Sequence, residues 1–332
     1  PRVIFSEQQQ TIFLADMSGD GLTDIVRIKN GSICYWPNLG YGRFGKKLLM
    51  HNAPRFDHPD LFDPSRIRLA DIDGSGTTDI IYLGVNQTNY WKNLSGNSWS
   101  EAVAIGAFPK TGSLTNVSVF DIEGNGTSAI VWSTPLPGKP DRIKYIELTG
   151  GKKPFLLTQV NNNTGATRSL FYAPSTKFYL QDKRAGKPWI TKLGFPVHVV
   201  ERIEVFDEPT QSRFVSRYAY HHGYFDGHER EFRGFGMVEQ WDTEDYGSLA
   251  STPLSQPNLQ EGDTYPMYTK TWFHTGFYKN ANAISDLYKQ EYFDAASDAW
   301  LLPDTILPEG LSLQEKREAA RVLRGSPLRQ EI

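Results

Sequence analysis

Three short loops rich in aspartate and glycine carry the residues of this sequence that are best suited to chemistry. They occupy residues 16–24, 71–79 and 121–129. The first two loops have oxygen-bearing side chains at loop positions 1, 3, 5 and 9, and all three have glycine at positions 4 and 6. Oxygen ligands on a tightly wound loop can converge on Ca²⁺, and glycine permits the left-handed backbone that such winding requires.

The first two loops therefore predict a calcium site each. The predicted ligands are the carbonyl oxygens of Leu22 and Thr77 and the side chains of Asp16, Ser18, Asp20, Asp24, Asp71, Asp73, Ser75 and Asp79. In the third loop Ala129 removes the ninth-position ligand. Position 12 lacks glutamate in every loop and a strand pattern follows, which excludes an EF-hand. The alternative remains open that the same oxygens only accept backbone N–H groups and form turns.

The loops belong to a longer repeated unit, because a second motif recurs at the same spacing. Residues 35–39 (YWPNL) return as residues 90–94 (YWKNL), which is the same offset as between the first two aspartate loops. An apolar run precedes each loop and a β-branched run follows it, so each unit reads as several short strands. Units of this size with a glycine-rich loop predict blades of a β-propeller, similar to FG-GAP and VCBS repeats. Three copies are fewer than a ring of roughly four to eight blades needs, so further blades are expected before Pro1 or in poorly matching sequence.

Composition supports an all-β protein and excludes several functions. The 332 residues carry a net charge of −3, which argues against nucleic acid or an anionic membrane surface as a partner. Aromatic residues make up 13%, and 29 glycines and 20 prolines provide many turns. The single cysteine, Cys34, excludes an internal disulfide or a CxxC site. Residues 1–5 show neither an initiator methionine nor a signal-peptide pattern, so the chain is expected to be part of something longer.

The second half has a different character. We assign residues 1–150 to the propeller-type repeats, 151–305 to long aromatic-rich antiparallel strands, and 306–332 to a C-terminal helix and a truncated end. Long aromatic-rich runs predict strands at 169–172, 177–180, 197–206 and 213–222, and the last of them shows the period-2 alternation of an antiparallel sheet. A capping box at Ser312 and Glu315 predicts a helix that extends to about Leu323.

Three runs in this half resemble one known family. STKFYL (175–180), KPW (187–189) and EREFRGFG (229–236) are similar to the middle region of B components of Tc insecticidal toxin complexes (the TcdB and TcaC type). The non-catalytic part of the virulence protein SpvB is similar too, and Rhs and YD-repeat proteins carry comparable strands.

The resemblance implies a role in a secreted bacterial toxin. In such complexes B and C components form a hollow β-sheet shell that encloses a cytotoxic enzyme, and the propeller docks on the A-component pore and gates it. The implied function is therefore a non-enzymatic structural and translocation module that has no catalytic residues. Its implied partners are a C component and an A component. Neither nucleic-acid binding nor direct membrane insertion is implied. No cofactor other than calcium is expected.

Two other functions remain open from the sequence. One is a calcium-dependent adhesive or glycan-binding propeller, and the other is a hydrolase or lyase carried on the propeller. Residues 40–45 match GxGxxG, but no helix pattern follows, so we interpret them as a turn. His221 and His222 are expected on opposite faces of a strand, and Cys34 is expected to be buried.

Overall fold

The computed structural model describes residues 10–85, 87–106, 115–135, 142–209, 212–242, 267–293 and 305–332. These residues form mostly antiparallel β-sheet with three α-helices, and none of the sheets among them closes on itself. The chain is therefore predominantly β. It divides into two compact units, Pro1–Leu156 and Leu157–Ile332. The Pro-rich segment 136–140 and the first nine residues lie outside the described residues.

The first unit contains three consecutive antiparallel sheets, one for each repeat. The first has strand order β1-β2-β3-β4, the second β5-β6-β7-β10, and the third β11-β12-β13, while β8 and β9 form a separate hairpin. A 3₁₀-helix, Pro64–Arg66, precedes β5. The strands are β1 (Gln10–Ala15), β2 (Asp24–Lys29), β3 (Ser32–Trp36), β4 (Leu48–Leu49), β5 (Ile67–Ala70), β6 (Asp79–Leu83), β7 (Thr88–Trp91), β8 (Asn93–Leu94), β9 (Ser98–Trp99), β10 (Val103–Ile105), β11 (Asn116–Phe120), β12 (Ala129–Ser133) and β13 (Ile143–Glu147).

Two hydrophobic cores hold these sheets together, and each core joins neighbouring repeats. One contains Val26 and Ile28 of the first sheet with Ile80 and Tyr82 of the second. The other joins the second sheet to the third through residues of β6, β11 and β12. All five residues of β6 are buried because this strand has a neighbouring sheet on both faces. The three sheets are thus stacked face to face in chain order.

The second unit is built on one seven-stranded antiparallel sheet whose strands lie side by side in sequence order. Its strands are β14 (Gln159–Asn161), β15 (Ala166–Pro174), β16 (His198–Asp207), β17 (Ser212–Asp226), β18 (Glu231–Trp241), β19 (Tyr268–Phe273) and β20 (Pro327–Glu331). The helices are α1 (Ser175–Arg184), α2 (Ala281–Glu291) and α3 (Leu313–Val322). No helix among the described residues is long and apolar enough to cross a membrane.

The strand predicted at residues 177–180 is wrong, because this segment lies in α1. Pro174 occupies the N-cap position and Lys183 and Arg184 lie in the last turn, where cations favour a helix. Phe178 is buried and packs on Tyr220 of β17 with ring centroids 5.7 Å apart. Tertiary packing of this helix on the sheet therefore outweighs the local preference of its aromatic residues for a strand.

The C-terminal prediction is confirmed at its start. Ser312 is the N-cap of α3, its hydroxyl accepts a hydrogen bond from the Glu315 N–H, and the Glu315 carboxylate accepts one from the Ser312 N–H. The chain then continues into β20, which pairs with β19 and completes one edge of the sheet. The helix α2 was not predicted either, so the described residues contain two helices, α1 and α2, that the sequence did not suggest.

Candidate functional site

The aspartate loops connect the first two strands of each repeat, and their first carboxylate fixes the turn. At position 6 of all three loops a glycine N–H donates to the Oδ2 atom of the position-1 aspartate, and these glycines have φ between 79° and 89°. The position-1 Oδ1 atom accepts a second N–H from position 4 or 5. The three bonds to Oδ2 are Gly21 to Asp16 (2.7 Å), Gly76 to Asp71 (3.0 Å) and Gly126 to Asp121 (2.7 Å).

The position-9 aspartates are fully buried and bridge two backbone segments. Asp79 Oδ2 accepts the Ile72 N–H at 2.9 Å and its Oδ1 accepts the Asn93 N–H at 2.7 Å. Asp24 makes the equivalent bonds to the N–H groups of Met17 and Asn38. Burial raises the pKa of Asp79 to about 6, against the opposing effect of its two backbone hydrogen bonds. These carboxylates therefore tie the loop to the segment directly after β3 in the first repeat and directly after β7 in the second.

The predicted calcium ligands come together best in the second loop. Carboxylate oxygens of Asp71, Asp73 and Asp79 all lie within 4.8 Å of one another. Such oxygens can accept hydrogen bonds and still have lone pairs for a cation. Asp73 already has a cationic neighbour, since Lys92 Nζ lies 3.3 Å from its Oδ2. In this loop the Ser75 hydroxyl is 2.9 Å from that of Thr77.

The first loop brings its predicted ligands together less. Ser18, Asp20 and Leu22 are exposed, and Asp20 Oδ1 accepts the Leu22 N–H at 2.9 Å. In the third loop Ala129 is buried where the others have aspartate. The turn role of the carboxylates accounts for their positions in all three loops, and calcium binding stays a prediction.

The first two loops also contact each other across the boundary between repeats. The Thr78 N–H donates to the Asp16 carbonyl at 2.8 Å, and Asn93 Nδ2 donates to the Met17 carbonyl at 2.9 Å. Gly96 packs so closely on Tyr35 that a Cβ at this position would lie 2.7 Å from the Tyr35 hydroxyl. The loops therefore help to set the spacing between neighbouring sheets.

In the second unit, the 229–236 segment forms a buried ionic cluster. Arg233 on β18 is 2% exposed, lies 3.1 Å from Asp226 Oδ2, and donates to the Gly276 carbonyl at 2.8 Å. Glu229 pairs with Arg317 of α3 at 2.9 Å. The Glu229–Arg317 pair attaches α3 to the β17–β18 hairpin.

A second polar cluster surrounds His221. Its Nδ1 lies 2.7 Å from Asp182 Oδ2 on α1, and its Nε2 lies 3.4 Å from Glu239 Oε2 on β18. Trp189 Nε1 also donates to Asp182 at 2.6 Å. Burial lowers the pKa of His221, but the hydrogen bonds and charges of the two carboxylates outweigh it and raise the pKa to about 9. The imidazolium thus holds α1 against the sheet.

The remaining motif predictions can be placed as well. His222 faces a different partner from His221, with its Nε2 2.9 Å from Glu291 of α2. Cys34 is buried, as predicted. Residues 40–45 form a hydrogen-bonded turn between β3 and β4, and the next described element after it is the strand β4.

Sequence reasoning missed Asp182 and Glu291 as partners of the two histidines because both carboxylates lie on helices that it did not assign. The 3–4 residue spacing of Ala281, Ile284, Ser285 and Tyr288 was the available signal for α2.

A family model described as the middle/N-terminal region of the insecticide toxin TcdB matches residues 95–276, more than half of the chain. The chain belongs to this family. The TcdB-type match starts in the second repeat and covers the His221 cluster and, apart from Arg317, the Arg233 cluster. No curated protein sequence matches the chain significantly.

Solved structures of Tc toxins are similar to this TcdB-type chain over almost its whole length. TcdB2–TccC3 without its hypervariable C-terminal region is 29% identical, with a TM-score of 0.81, and the match covers 98% of this chain and 15% of that one. The Photorhabdus luminescens Tc holotoxin pore, carrying a TccC3 mutation, is 28% identical with a TM-score of 0.80, covering 99% and 15%. The chain thus corresponds to a small part of these solved relatives, as a middle region of a Tc toxin B component.

Proposed function

We propose that this chain is a non-enzymatic structural and translocation module of a secreted bacterial toxin complex. Residues 1–150 contribute blades to a β-propeller, and residues 151–305 contribute strands to a shell that encloses a toxic cargo. The supporting observation is the stack of three antiparallel sheets in chain order, joined by cores that each belong to two repeats. Successive face-to-face sheets of this kind are the arrangement of propeller blades.

The proposed mechanism uses the rigidity of both units. A propeller presents fixed loops around a channel, which suits docking to a pore and gating it. The shell strands pair with one another in sequence order, so few backbone groups remain for an unfolded cargo to pair with. The relatives are described as TcdB2 with TccC3 and as a holotoxin pore. By extension we propose a C component and an A component as partners of this chain, with neither nucleic acid nor direct membrane insertion involved.

An affinity-capture experiment with the proposed partner components tests the proposal. A tagged 332-residue chain is incubated separately with a purified A component and with a C component, with an intact B component as positive control. We expect retention by at least one partner. An Ile80→Asp variant, which places a charge in the core between the first two sheets, should lose binding to the A component. Failure of the chain to bind either partner, where the intact B component binds both, would overturn the proposal.

A calcium-dependent adhesive function is the second candidate, and the close approach of Asp71, Asp73 and Asp79 favours it. Glycan-array binding that requires calcium and is lost in Asp73→Ala would support it. Equal signals with calcium and with EDTA would reject it.

A further inference from the structure

A cavity of about 680 Å³ lies in the second unit, at the point where β16 and β17 stop pairing with each other. The ladder between these two strands ends at the pair Arg202–Arg217, and from Arg217 onward β17 pairs with β18. Phe178 and Gln181 of α1 also line the cavity. Binding sites for small ligands have volumes of roughly 300 to 1,000 Å³, so this cavity is large enough for more than one functional group of a ligand.

One row of side chains across four neighbouring strands lines this cavity. Phe171 of β15 is the register partner of Arg202, Arg202 is the partner of Arg217, and Arg217 is the partner of Trp241 on β18. Residues directly opposite each other in an antiparallel sheet point to the same face. All four residues line the cavity. Two adjacent arginines thus lie between two aromatic residues.

The arginine pair favours an anion at this position. Like charges directly opposite each other on neighbouring strands destabilise a sheet. Glu204 lies 3.1 Å from Arg202, but the same carboxylate is shared with Arg213 at 2.9 Å. The other charged residues that line the cavity, among those described, are one lysine and one glutamate, which pair with each other. A carboxylate suits the arginines best, because it can accept two parallel N–H bonds from a guanidinium.

Aromatic rings hold both ends of the row. The Arg202 guanidinium lies over the Phe171 ring, 4.1 Å from the ring centroid. The Trp241 ring is stacked on Tyr268, with centroids 5.1 Å apart. A guanidinium stacked on a ring keeps its N–H groups in its own plane, where they can donate to a ligand. Side chains that are already positioned lose less conformational entropy on binding, so this stacking favours binding.

We propose that this cavity binds an extended peptide segment of a partner protein that carries a carboxylate and, two residues further on, an aromatic side chain. Arg202 and Arg217 bind the carboxylate, and the aromatic side chain lies against Phe178 and Ala219. Side chains two residues apart in an extended peptide point to the same side, roughly 7 Å apart, and the row across four strands spans about 14 Å. The inference concerns the second unit alone and goes beyond the proposed function.

Isothermal titration calorimetry of the whole chain with a short peptide tests this proposal. The probe is acetyl-Ser-Glu-Ser-Phe-Ser-amide, and we expect saturable binding of one peptide per chain that weakens as sodium chloride is added. Two matched peptides replace glutamate by glutamine or phenylalanine by alanine. Each should bind at least about tenfold more weakly, because the first loses a charge-assisted hydrogen bond and the second loses a buried ring. These comparisons use the unmodified chain and do not depend on the folding of a variant.

Variants of the chain then locate the binding site. Arg202→Gln and Arg217→Gln should each weaken binding of the probe by at least about tenfold. Arg202→Lys keeps the charge but loses the planar fork, so its effect should be smaller. Arg168→Gln is the matched control, because Arg168 is exposed on β15 and, three residues before Phe171, lies on the other face of that strand. Circular dichroism confirms that each variant is folded.

Several results would overturn the inference. These are the absence of saturable binding up to about 1 mM probe, equal affinities for the glutamate and glutamine peptides, and equal affinities of the Arg202→Gln and Arg168→Gln chains. If the alanine peptide binds as tightly as the probe and inorganic phosphate displaces both, the cavity is a simple anion site and not a peptide site. The capture experiment with A and C components is a separate readout, so a captured chain that does not bind the probe would reject this site and leave the proposed function standing.

Discussion

The charge state of His221 should make the second unit less stable at alkaline pH. His221 lies between Asp182 and Glu239, and these two carboxylates raise its pKa to about 9 although burial alone lowers it. A histidine whose pKa rises on folding stabilises the folded state below its unfolded pKa, which is about 6.5. This contribution is lost as the pH rises through about 9.

The size of the effect follows from the pKa difference. A rise from about 6.5 to about 9 corresponds to about 3 kcal/mol, since one pKa unit is worth about 1.4 kcal/mol. The histidine side chain is 14% exposed and its two partners are 17% and 18% exposed, so solvent screens the pairs only slightly. We therefore expect the free energy of unfolding of the second unit to fall between about pH 6.5 and pH 9.

His221→Gln isolates this contribution. The variant keeps a polar group but removes the imidazolium between the two carboxylates, and it should show no loss of stability across the same pH window. His58→Gln is the matched control, because His58 is exposed and lies near Asp60 at 3.4 Å in the first unit. Urea unfolding from pH 6 to pH 10 measures stability, and NMR titration of the imidazole measures the pKa. A His221 pKa below 7, or equal pH dependence in the wild type and His221→Gln, would refute the reasoning.

Three further predictions concern the aspartate loops and their junction. Asp79→Ala removes the acceptor of two buried N–H groups and should cost about 2–4 kcal/mol in urea unfolding, and unchanged stability would contradict the bridging role. Gly96→Ala should lower the melting temperature more than Gly40→Ala, because both have positive φ but only Gly96 lies against Tyr35; equal shifts would argue against this close approach. Added calcium should raise the melting temperature and Asp73→Ala should remove that rise, whereas identical melting with calcium and EDTA would leave the loops as turns.

The repeats were predictable from the sequence because the motifs that define them are short and contiguous in the chain. The loop that begins at Asp16 and the Tyr35–Trp36 motif recur at a fixed offset, and each lies next to a strand whose alternation is visible over a few residues. The fully buried strand β6 can be recognised in the same way, because after Asp79 it is an unbroken apolar run, which is typical of a strand with sheets on both faces.

The helix α1 and the polar clusters were not predictable in this way. The residues of α1 include an aromatic-rich run that is typical of a strand, whereas Phe178 of this helix packs on Tyr220, which is distant in sequence. His221 finds one carboxylate 39 positions earlier and another on the next strand. No local period identifies such partners, so a sequence pattern could place the histidines on a strand but not assign what they bind.

The third loop helps to separate the structural role of these loops from metal binding. It lacks the position-9 carboxylate, yet Asp121 still accepts two backbone N–H groups, and Gly126 still has a positive φ of 79°. In place of the missing aspartate it gains bonds between side chains, from Tyr145 to Glu123 and from Asn125 to Glu147. The feature common to all three loops is thus the position-1 carboxylate bound to the position-6 glycine N–H. A calcium site would need more oxygens around the cation than this one carboxylate, whereas the hydrogen bond to the glycine N–H is a property of the turn.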